Sequence, residues 1–311
     1  MFGLEVWSEL PIANCVIEAA GPGRPETRLI AVGSDEIDEA VEEIDRRAVL
    51  VRNRMEGGLG LGVFACANGE YLFEAPGHGR YVVSPDGAVV RCAVEGLPPA
   101  NWQRALLGQV MPLAATLRGM ELIHASAVVI DGRAQAFWGP SGAGKSSIGG
   151  HLVALGAVPL TDDALALEAT AFGVHAHPGP RRANIYDYEL DAMADGRARL
   201  GAPVARLDKV QLDLPIGGAH APLAGLFVLD RTAEVEHFEI EELERPDARL
   251  LLGTAFVPYV TDARRLRNQF QICHLVASAT RVRRLRIPLG EPAARVARAV
   301  AEHAGRDPGA S

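Results

Sequence analysis

The sequence predicts a mixed α/β protein in which a β-rich N-terminal domain precedes a core built around a phosphate-binding loop. Residues 61–75 and 80–94 each contain two alternating apolar runs joined at an Asn-Gly or Asp-Gly pair, which is typical of β-hairpins. From residue 121 onward, patterns of strand, loop, helix and strand follow one another. Within them, Gly139, Gly144, Lys145 and Ser146 complete the pattern G-x-x-x-x-G-K-S.

The N-terminal elements run in a definite order. An acidic amphipathic segment, 34–51, interrupts the hairpins, with Ser34 as a natural N-cap. A buried helix opens at Pro99 and ends near Gly119. We therefore predict a β-rich domain over 1–119, a catalytic domain with a C-terminal helical extension over 120–305, and a disordered tail over 306–311.

The elements of the core follow the same reasoning. Asp131-Gly132 marks another hairpin, ahead of the glycine loop and a helix over about 145–155. The apolar run 222–230 fits a buried strand. After it, the pattern predicts a helix around 262–279, a strand over 282–289 and an amphipathic helix from Glu291.

Composition narrows the classes of function. The chain has 311 residues and a net charge of −8, which argues against a nucleic-acid-binding protein. No apolar run is long enough for a membrane span, and the N-terminus lacks the basic region of a signal peptide, so we expect a cytoplasmic protein with no membrane partner. The cysteines are scattered as isolated thiols, with neither a disulfide framework nor a zinc site: Cys15, Cys66, Cys92 and Cys273.

The glycine loop carries the first chemical prediction. An apolar strand enters it and a helix leaves it, as a loop that wraps phosphate with backbone N–H groups requires. Lys145 should reach the β- and γ-phosphates, and the Ser146 hydroxyl should ligate Mg²⁺. The predicted nucleotide-binding positions are Gly139, Pro140, Ser141, Gly142, Ala143, Gly144, Lys145, Ser146 and Ser147.

Other motifs decide which nucleotide enzymes fit. The N-K-x-D motif of GTPases and an L-S-G-G-Q-like signature of ABC ATPases are both missing. Asp230 ends an apolar run as a Walker B aspartate would, but we favour a turn at that position.

Asp162-Asp163 is the better carboxylate pair, because it follows the short strand after the loop helix. Phosphoryl transfer needs one carboxylate for Mg²⁺ and another to accept the proton of the attacking hydroxyl. Adjacent residues between β segments can point to opposite sides, which would divide these two roles.

The register of the predicted hairpin places His124 at the glycine loop. If Asp131 and Gly132 are the central residues of a tight hairpin, His124 lies across from Gly139. A histidine there can serve the transferred phosphate as a hydrogen-bond donor or as a cation. A half-buried strand histidine bonded to backbone is the alternative.

Together, these residues resemble HPr kinase/phosphorylase, in the run "HASAVVIDGRAQAFWGPSGAGKSS" followed by "LTDDALALE". The resemblance covers 121 to about 170 and implies a serine kinase on the phosphoenolpyruvate-carboxykinase-like core, with ATP and Mg²⁺ as cofactors. It implies that Lys145 binds phosphate, that Ser146 and Asp162 bind the metal or its water shell, and that Asp163 is the catalytic base. It also implies that His124 assists at the transferred phosphate. Family enzymes form oligomers, so it also implies a homo-oligomer.

The layout is similar in particular to HPr-kinase-like proteins of peptide natural-product pathways, including lasso-peptide precursor kinases. They share a β-rich N-terminal region, "DDxLAL" and a stretch like "AHPGPRR" at 176–182. That resemblance implies a peptide or small protein with an acceptor serine, typically C-terminal, as the partner. The Gly-rich segment with a metal-binding glutamate that HPr kinases carry is missing, and Glu168 is the nearest spare carboxylate.

Basic residues beyond the core are candidates for binding the acceptor. For each one alone, the simpler interpretation is a charge on a solvated face of the protein. They are Arg181, Arg182, Lys209 and Arg265. The alternatives to a peptide kinase are an HPr-type carrier-protein kinase/phosphorylase and a regulatory protein that binds nucleotide without transfer.

Overall fold

The computed structural model describes residues 1–12, 23–42, 44–54, 60–206, 208–215 and 217–304. The predicted tail and Cys15 lie outside the described residues. The chain folds into two compact units. The first comprises Met1–Met120 and Val257–Arg265, and the second comprises Glu121–Phe256 and Leu266–Ser311.

The first unit is built on a seven-stranded sheet with the strand order β1-β2-β7-β6-β5-β4-β3. Its strands are β1 (Glu5–Ser8), β2 (Glu26–Ala31), β3 (Ile44–Arg54), β4 (Gly60–Cys66), β5 (Tyr71–Ala75), β6 (Gly79–Val83) and β7 (Val89–Ala93). Both predicted hairpins, β4–β5 and β6–β7, are confirmed. Their turns place Gly69 and Gly87 at positive φ, which explains why the sequence has glycine there.

The helices of this unit differ in part from the prediction. Helix α1 (Ser34–Glu42) begins at the predicted residue, but the second half of the amphipathic segment forms β3. The Pro99 helix is confirmed as α2 (Pro99–Ala105), a π-helical turn (Leu106–Val110) and α3 (Met111–Leu117). Pro112 has no N–H to continue the α-helical ladder, and the wider turn immediately before it accommodates that gap.

The second unit contains a nine-stranded sheet whose main path is β11-β9-β10-β17-β13-β12-β8. Along the chain the strands are β8 (Glu121–Ile123), β9 (Ala125–Ile130), β10 (Arg133–Trp138), β11 (Val158–Thr161), β12 (Leu165–Thr170), β13 (Gly173–His177), β17 (Ala221–Thr232), β18 (Glu239–Glu242) and β19 (Arg281–Pro288). The β9–β10 hairpin turns at Asp131 (φ 48°) and Gly132 (φ 75°), as its sequence predicts. β17 runs parallel to β10 and to β19, which makes it the central strand beside the glycine loop.

Helices cover both faces of this sheet. α4 (Lys145–Ala154) and α8 (Ala293–Ala304) share one apolar cluster with Phe137 and Phe227. α7 (Ala263–Ala279) packs Ile272 and Val276 into the cluster on the other face. The predicted mixed α/β class is confirmed.

A three-stranded sheet of order β14-β16-β15 packs beside α4 in the second unit. Its strands are β14 (Arg182–Ile185), β15 (Pro203–Arg206) and β16 (Val210–Asp213). Between β14 and β15 lie α5 (Asp187–Ala192) and a 3-10 helix (Ala194–Leu200), while α6 (Ala248–Leu252) lies further along the chain. Among the described residues, no helix has the combination of length and apolar character that a membrane crossing requires.

Candidate phosphoryl-transfer site

The glycine loop links the end of β10 to the first turn of α4. Gly142 (φ 81°) and Gly144 (φ 101°) adopt the left-handed conformation that only glycine reaches without strain. No side chain caps α4, so the N–H groups of its first turn point into the loop. A Cβ on Gly139 would lie 3.1 Å from the Leu229 carbonyl oxygen, which keeps that position small. All nine predicted nucleotide-binding positions therefore lie in one loop and helix start, whose exposed N–H groups suit an anion.

Lys145 lies across this loop. Its Nζ donates to the carbonyl oxygens of Gly139 at 2.8 Å and Pro140 at 3.2 Å, and the residue is only 7 % exposed. Burial lowers its pKa, while the charges of Asp163 and Asp162 act in the opposite direction. The ammonium group is therefore held inside the loop by contacts that a bound phosphate can replace.

Asp162 is the buried half of the carboxylate pair, with 5 % of its surface exposed. It makes a hydrogen bond with the Ser146 side chain, and its Oδ2 accepts the Asn184 backbone N–H at 2.9 Å. Burial, followed by the charge of Asp163, raises the pKa of Asp162 to about 7. A hydroxyl and a carboxylate in contact are hard oxygen donors of the kind that Mg²⁺ takes, so Ser146 and Asp162 fit the predicted metal.

No group of three or more His, Cys, Asp and Glu side chains that could hold a metal occurs in the part of the chain that the structure describes. Glu168, the spare carboxylate of the sequence, faces His177 instead, with 2.8 Å between Oε2 and Nε2. In phosphate sites, Mg²⁺ is usually held by one or two carboxylates together with phosphate oxygens and water.

Asp163 directly follows Asp162 in the chain and is exposed. The turn that carries both aspartates is closed by Thr161, whose hydroxyl donates to the Ala164 carbonyl oxygen at 2.8 Å. One carboxylate therefore faces the protein interior and the next one faces solvent. An exposed carboxylate within electrostatic reach of Lys145 and His124 can meet an incoming hydroxyl.

His124 occupies the position next to the predicted register. The hairpin pairs Trp138 with Ala125, so the same numbering continues to His124 and Gly139. The ladder stops before that pair, because the His124 N–H donates to the Thr254 carbonyl oxygen at 2.8 Å. Its ring stacks on Phe256 with 5.6 Å between centroids. The register is confirmed, whereas the cross-strand pair itself does not form.

The charge state of His124 follows from its neighbours. Partial desolvation by the surrounding atoms, followed by the Lys145 charge, holds its pKa below the ordinary value, and Asp163 only partly opposes this. Of the two roles considered for this histidine, the neutral hydrogen-bonding one is therefore favoured at neutral pH.

The raised pKa of Asp162 gives a stability prediction for the nucleotide-free protein. Between the unfolded value, 3.8, and about 7, the folded state keeps a proton that the unfolded state has released. The free energy of unfolding should therefore fall as pH rises through this window, and Asp162→Asn should remove that part of the slope. Urea unfolding of both proteins across the window measures it, and identical slopes would contradict the assignment.

Arg231 also belongs to this region and is not among the predicted site residues. Its Nε donates to the Ala143 carbonyl oxygen at 3.0 Å, and its Nη1 donates to the Glu291 carbonyl oxygen at 3.1 Å. It therefore ties the glycine loop to the chain just before α8. The favoured turn at Asp230 is wrong, because β17 continues to Thr232 and contains both Asp230 and Arg231. Nothing in the local sequence pattern marks it, because both contacts join segments that lie far apart in the chain.

Removing Arg231 should loosen the loop. We expect Arg231→Ala to weaken ATP affinity about tenfold, because a hydrogen bond from a charged group contributes roughly 1.5–3 kcal/mol. Arg231→Lys keeps one charged donor, so its affinity for ATP should lie between those of the wild type and Arg231→Ala. Titration with a fluorescent ATP analogue measures the affinity, and a loss of melting temperature without a loss of affinity would show a purely structural role.

The four basic candidates lie in different places. Arg181 lies 4.0 Å from Asp213 Oδ1, and Arg182 begins β14. Lys209 places its Nζ 4.9 Å from the centroid of the Tyr186 ring and acts electrostatically on Asp162. Arg265 is buried in the first unit, where its backbone N–H donates to Asp262.

Comparison with known proteins adds little to this geometry. No protein-family model matches the chain, and no curated protein matches it. Among solved structures, the HPr(Ser) kinase/phosphatase from Coxiella burnetii aligns with a TM-score of 0.33 and 11 % identity, over 59 % of this chain and 90 % of that chain. At so low a TM-score the likeness assigns neither fold nor activity.

Proposed function

We propose that this protein is an ATP- and Mg²⁺-dependent kinase that phosphorylates a serine hydroxyl of a peptide, the C-terminal serine of a lasso-type ribosomal precursor. The observation that carries the proposal is the division of Asp162 and Asp163. One carboxylate is buried against Ser146, and the next is exposed near Lys145. Phosphoryl transfer requires such a division between a metal carboxylate and a base. The choice of a peptide with a terminal serine as the substrate is based on the sequence resemblance.

The residues of the site then divide the steps of the transfer between them. The loop N–H groups and Lys145 hold the phosphates of ATP, and Ser146 with Asp162 would hold Mg²⁺, which supplies charge neutralisation when bound. Asp163 accepts the proton of the serine hydroxyl as its oxygen forms a bond to the γ-phosphorus. The bond from that phosphorus to the bridging oxygen breaks, and its electron pair leaves with ADP. Lys145 and neutral His124 stabilise the charge on the transferred group.

Radiolabelled ATP tests the proposal with three acceptors. They are short peptides ending in serine, the same peptides ending in alanine, and purified HPr. Label on the serine-ending peptides alone supports a peptide kinase. Label on HPr alone would indicate a carrier-protein kinase instead. ATP binding without any labelled acceptor would indicate a regulatory protein.

A further inference from the structure

A second cation and two aromatic rings lie close to the proposed transfer site. β14 pairs with β16 as Arg182 with Asp213 through to Ile185 with Val210. Continuing this ladder by one pair brings Tyr186 opposite Lys209. The side chains agree with that placement, since Nζ of Lys209 lies 4.9 Å from the centroid of the Tyr186 ring.

The aromatic pair is open to solvent. Tyr186 stacks on Tyr188 with 5.3 Å between ring centroids and an interplanar angle of 13°. Tyr186 is 39 % exposed and Tyr188 is 65 % exposed. Two stacked rings on the surface leave apolar faces in water, which a ligand can cover.

This pair lies close in the chain to a residue that contacts Asp162, the proposed metal carboxylate. Asn184 donates its backbone N–H to Asp162, and Tyr186 follows two residues later, about 7 Å along an extended chain. Burial is the main reason that the pKa of Lys145 is lowered, and the Lys209 charge adds to it. Lys209 therefore contributes positive potential to the site itself.

Lysine at this position is unusual for the chain. Among 31 basic residues only two are lysines, Lys145 and Lys209. One lies in the glycine loop and the other lies across from Tyr186. A lysine offers a positive charge on a flexible stem, which can pair with a carboxylate.

The position of this surface indicates whether it binds the acceptor or the base of the nucleotide. It is tied to Asp162, which contacts Ser146 at the end of the loop where Mg²⁺ and the γ-phosphate belong. The base of a bound nucleotide lies at the other end of the phosphate chain. The acceptor, in contrast, must arrive at the γ-phosphate end.

We propose that Tyr186, Tyr188 and Lys209 form an acceptor platform, in which the tyrosine rings hold the last residues of the peptide and Lys209 pairs with its C-terminal carboxylate. This inference rests on the proposed function, because only a peptide acceptor presents a carboxylate beside a terminal serine. It gives the kinase a physical reason to select the last residue: the group that is recognised and the hydroxyl that reacts belong to the same amino acid.

Peptide binding measured apart from catalysis tests the platform. The probe is a fluorescein-labelled peptide ending in Gly-Ser, with either a free carboxylate or an amide, followed by anisotropy. Amidation should weaken binding to the wild type about tenfold, the size of effect expected for one partly buried charged hydrogen bond. Lys209→Met should weaken the acid form similarly and abolish the difference between acid and amide. Tyr186→Ala/Tyr188→Ala should weaken both forms.

Matched variants serve as controls. Tyr186→Phe/Tyr188→Phe keeps the rings, Lys209→Arg keeps the charge, and Phe172→Ala removes an exposed ring elsewhere, so all three should retain binding. Equal affinity of Lys209→Met and wild type for the acid peptide would overturn the platform. A loss of ATP affinity in the tyrosine-to-alanine variant, with peptide affinity unchanged, would also overturn it and assign the rings to the nucleotide base.

Acylation of the two lysines, followed by mass spectrometry, gives a second test on the unmodified wild type. The acid peptide should protect Lys209, whereas the buried Lys145 should react slowly with or without the peptide. A bound peptide that leaves Lys209 fully reactive would contradict the platform. Peptide that binds and protects Lys209 but is never phosphorylated would refute the proposed function and leave the platform standing.

Discussion

Replacing Asp163 with asparagine should lower the rate of phosphoryl transfer by about 10²- to 10⁴-fold, the range that a general base contributes. The amide has the same shape but cannot accept the serine proton. Asp163 is exposed and belongs to a turn closed by Thr161, so the substitution should leave the fold intact. The affinity for ATP should persist, because the loop N–H groups and Lys145 remain.

Single-turnover transfer of label from ATP measures the rate, and a fluorescent ATP analogue measures binding. Asp195→Asn removes a carboxylate from the exposed surface and should behave as wild type. Asp163→Glu keeps the carboxylate and should recover part of the lost rate. A transfer rate close to wild type in Asp163→Asn would show that another group is the base.

The second large effect is expected from Lys145→Met. This variant removes the cation that lies 2.8 Å from the Gly139 carbonyl oxygen and that should move to the phosphates. We expect a loss of about 10²- to 10³-fold in kcat, similar to the removal of one preorganised donor from a developing charge. ATP affinity should fall as well, because the same ammonium group contacts the ground-state phosphates.

Lys145→Arg separates charge from shape. The guanidinium keeps the charge but is larger and planar, so the activity of this variant should lie between that of the wild type and that of Lys145→Met. Phe172→Ala again provides a surface control. If Lys145→Met kept both wild-type kcat and wild-type ATP affinity, the loop would not be holding the phosphates of ATP.

The parts of this protein that the sequence predicted well depend on local rules. Glycine at fixed turn positions determined the hairpins at Gly69, Gly87 and Gly132, and each turn has the expected positive φ. The strand, glycine loop and helix around Lys145 follow from a single continuous motif. Since a tight turn fixes the register of its strands, the position of His124 relative to Gly139 was also predictable.

The parts that were missed depend on contacts between distant segments. Arg231 reaches Ala143 and Glu291 across β17, and Asn184 reaches Asp162 through a backbone N–H that any residue except proline could provide. Neither contact leaves a signal in composition or periodicity. The charges and apolar residues of the segment after Glu42 suit either period, and pairing with β4 makes it a strand instead of a continuation of the helix.

Mass spectrometry of one reaction tests the central claim most directly. The wild-type protein is incubated with ATP, Mg²⁺ and a peptide ending in serine, beside the same peptide ending in alanine. We expect one phosphoryl group on the terminal serine, an equal amount of ADP and an unmodified alanine peptide. Release of ADP without phosphopeptide, or phosphate on another residue of both peptides, would contradict it.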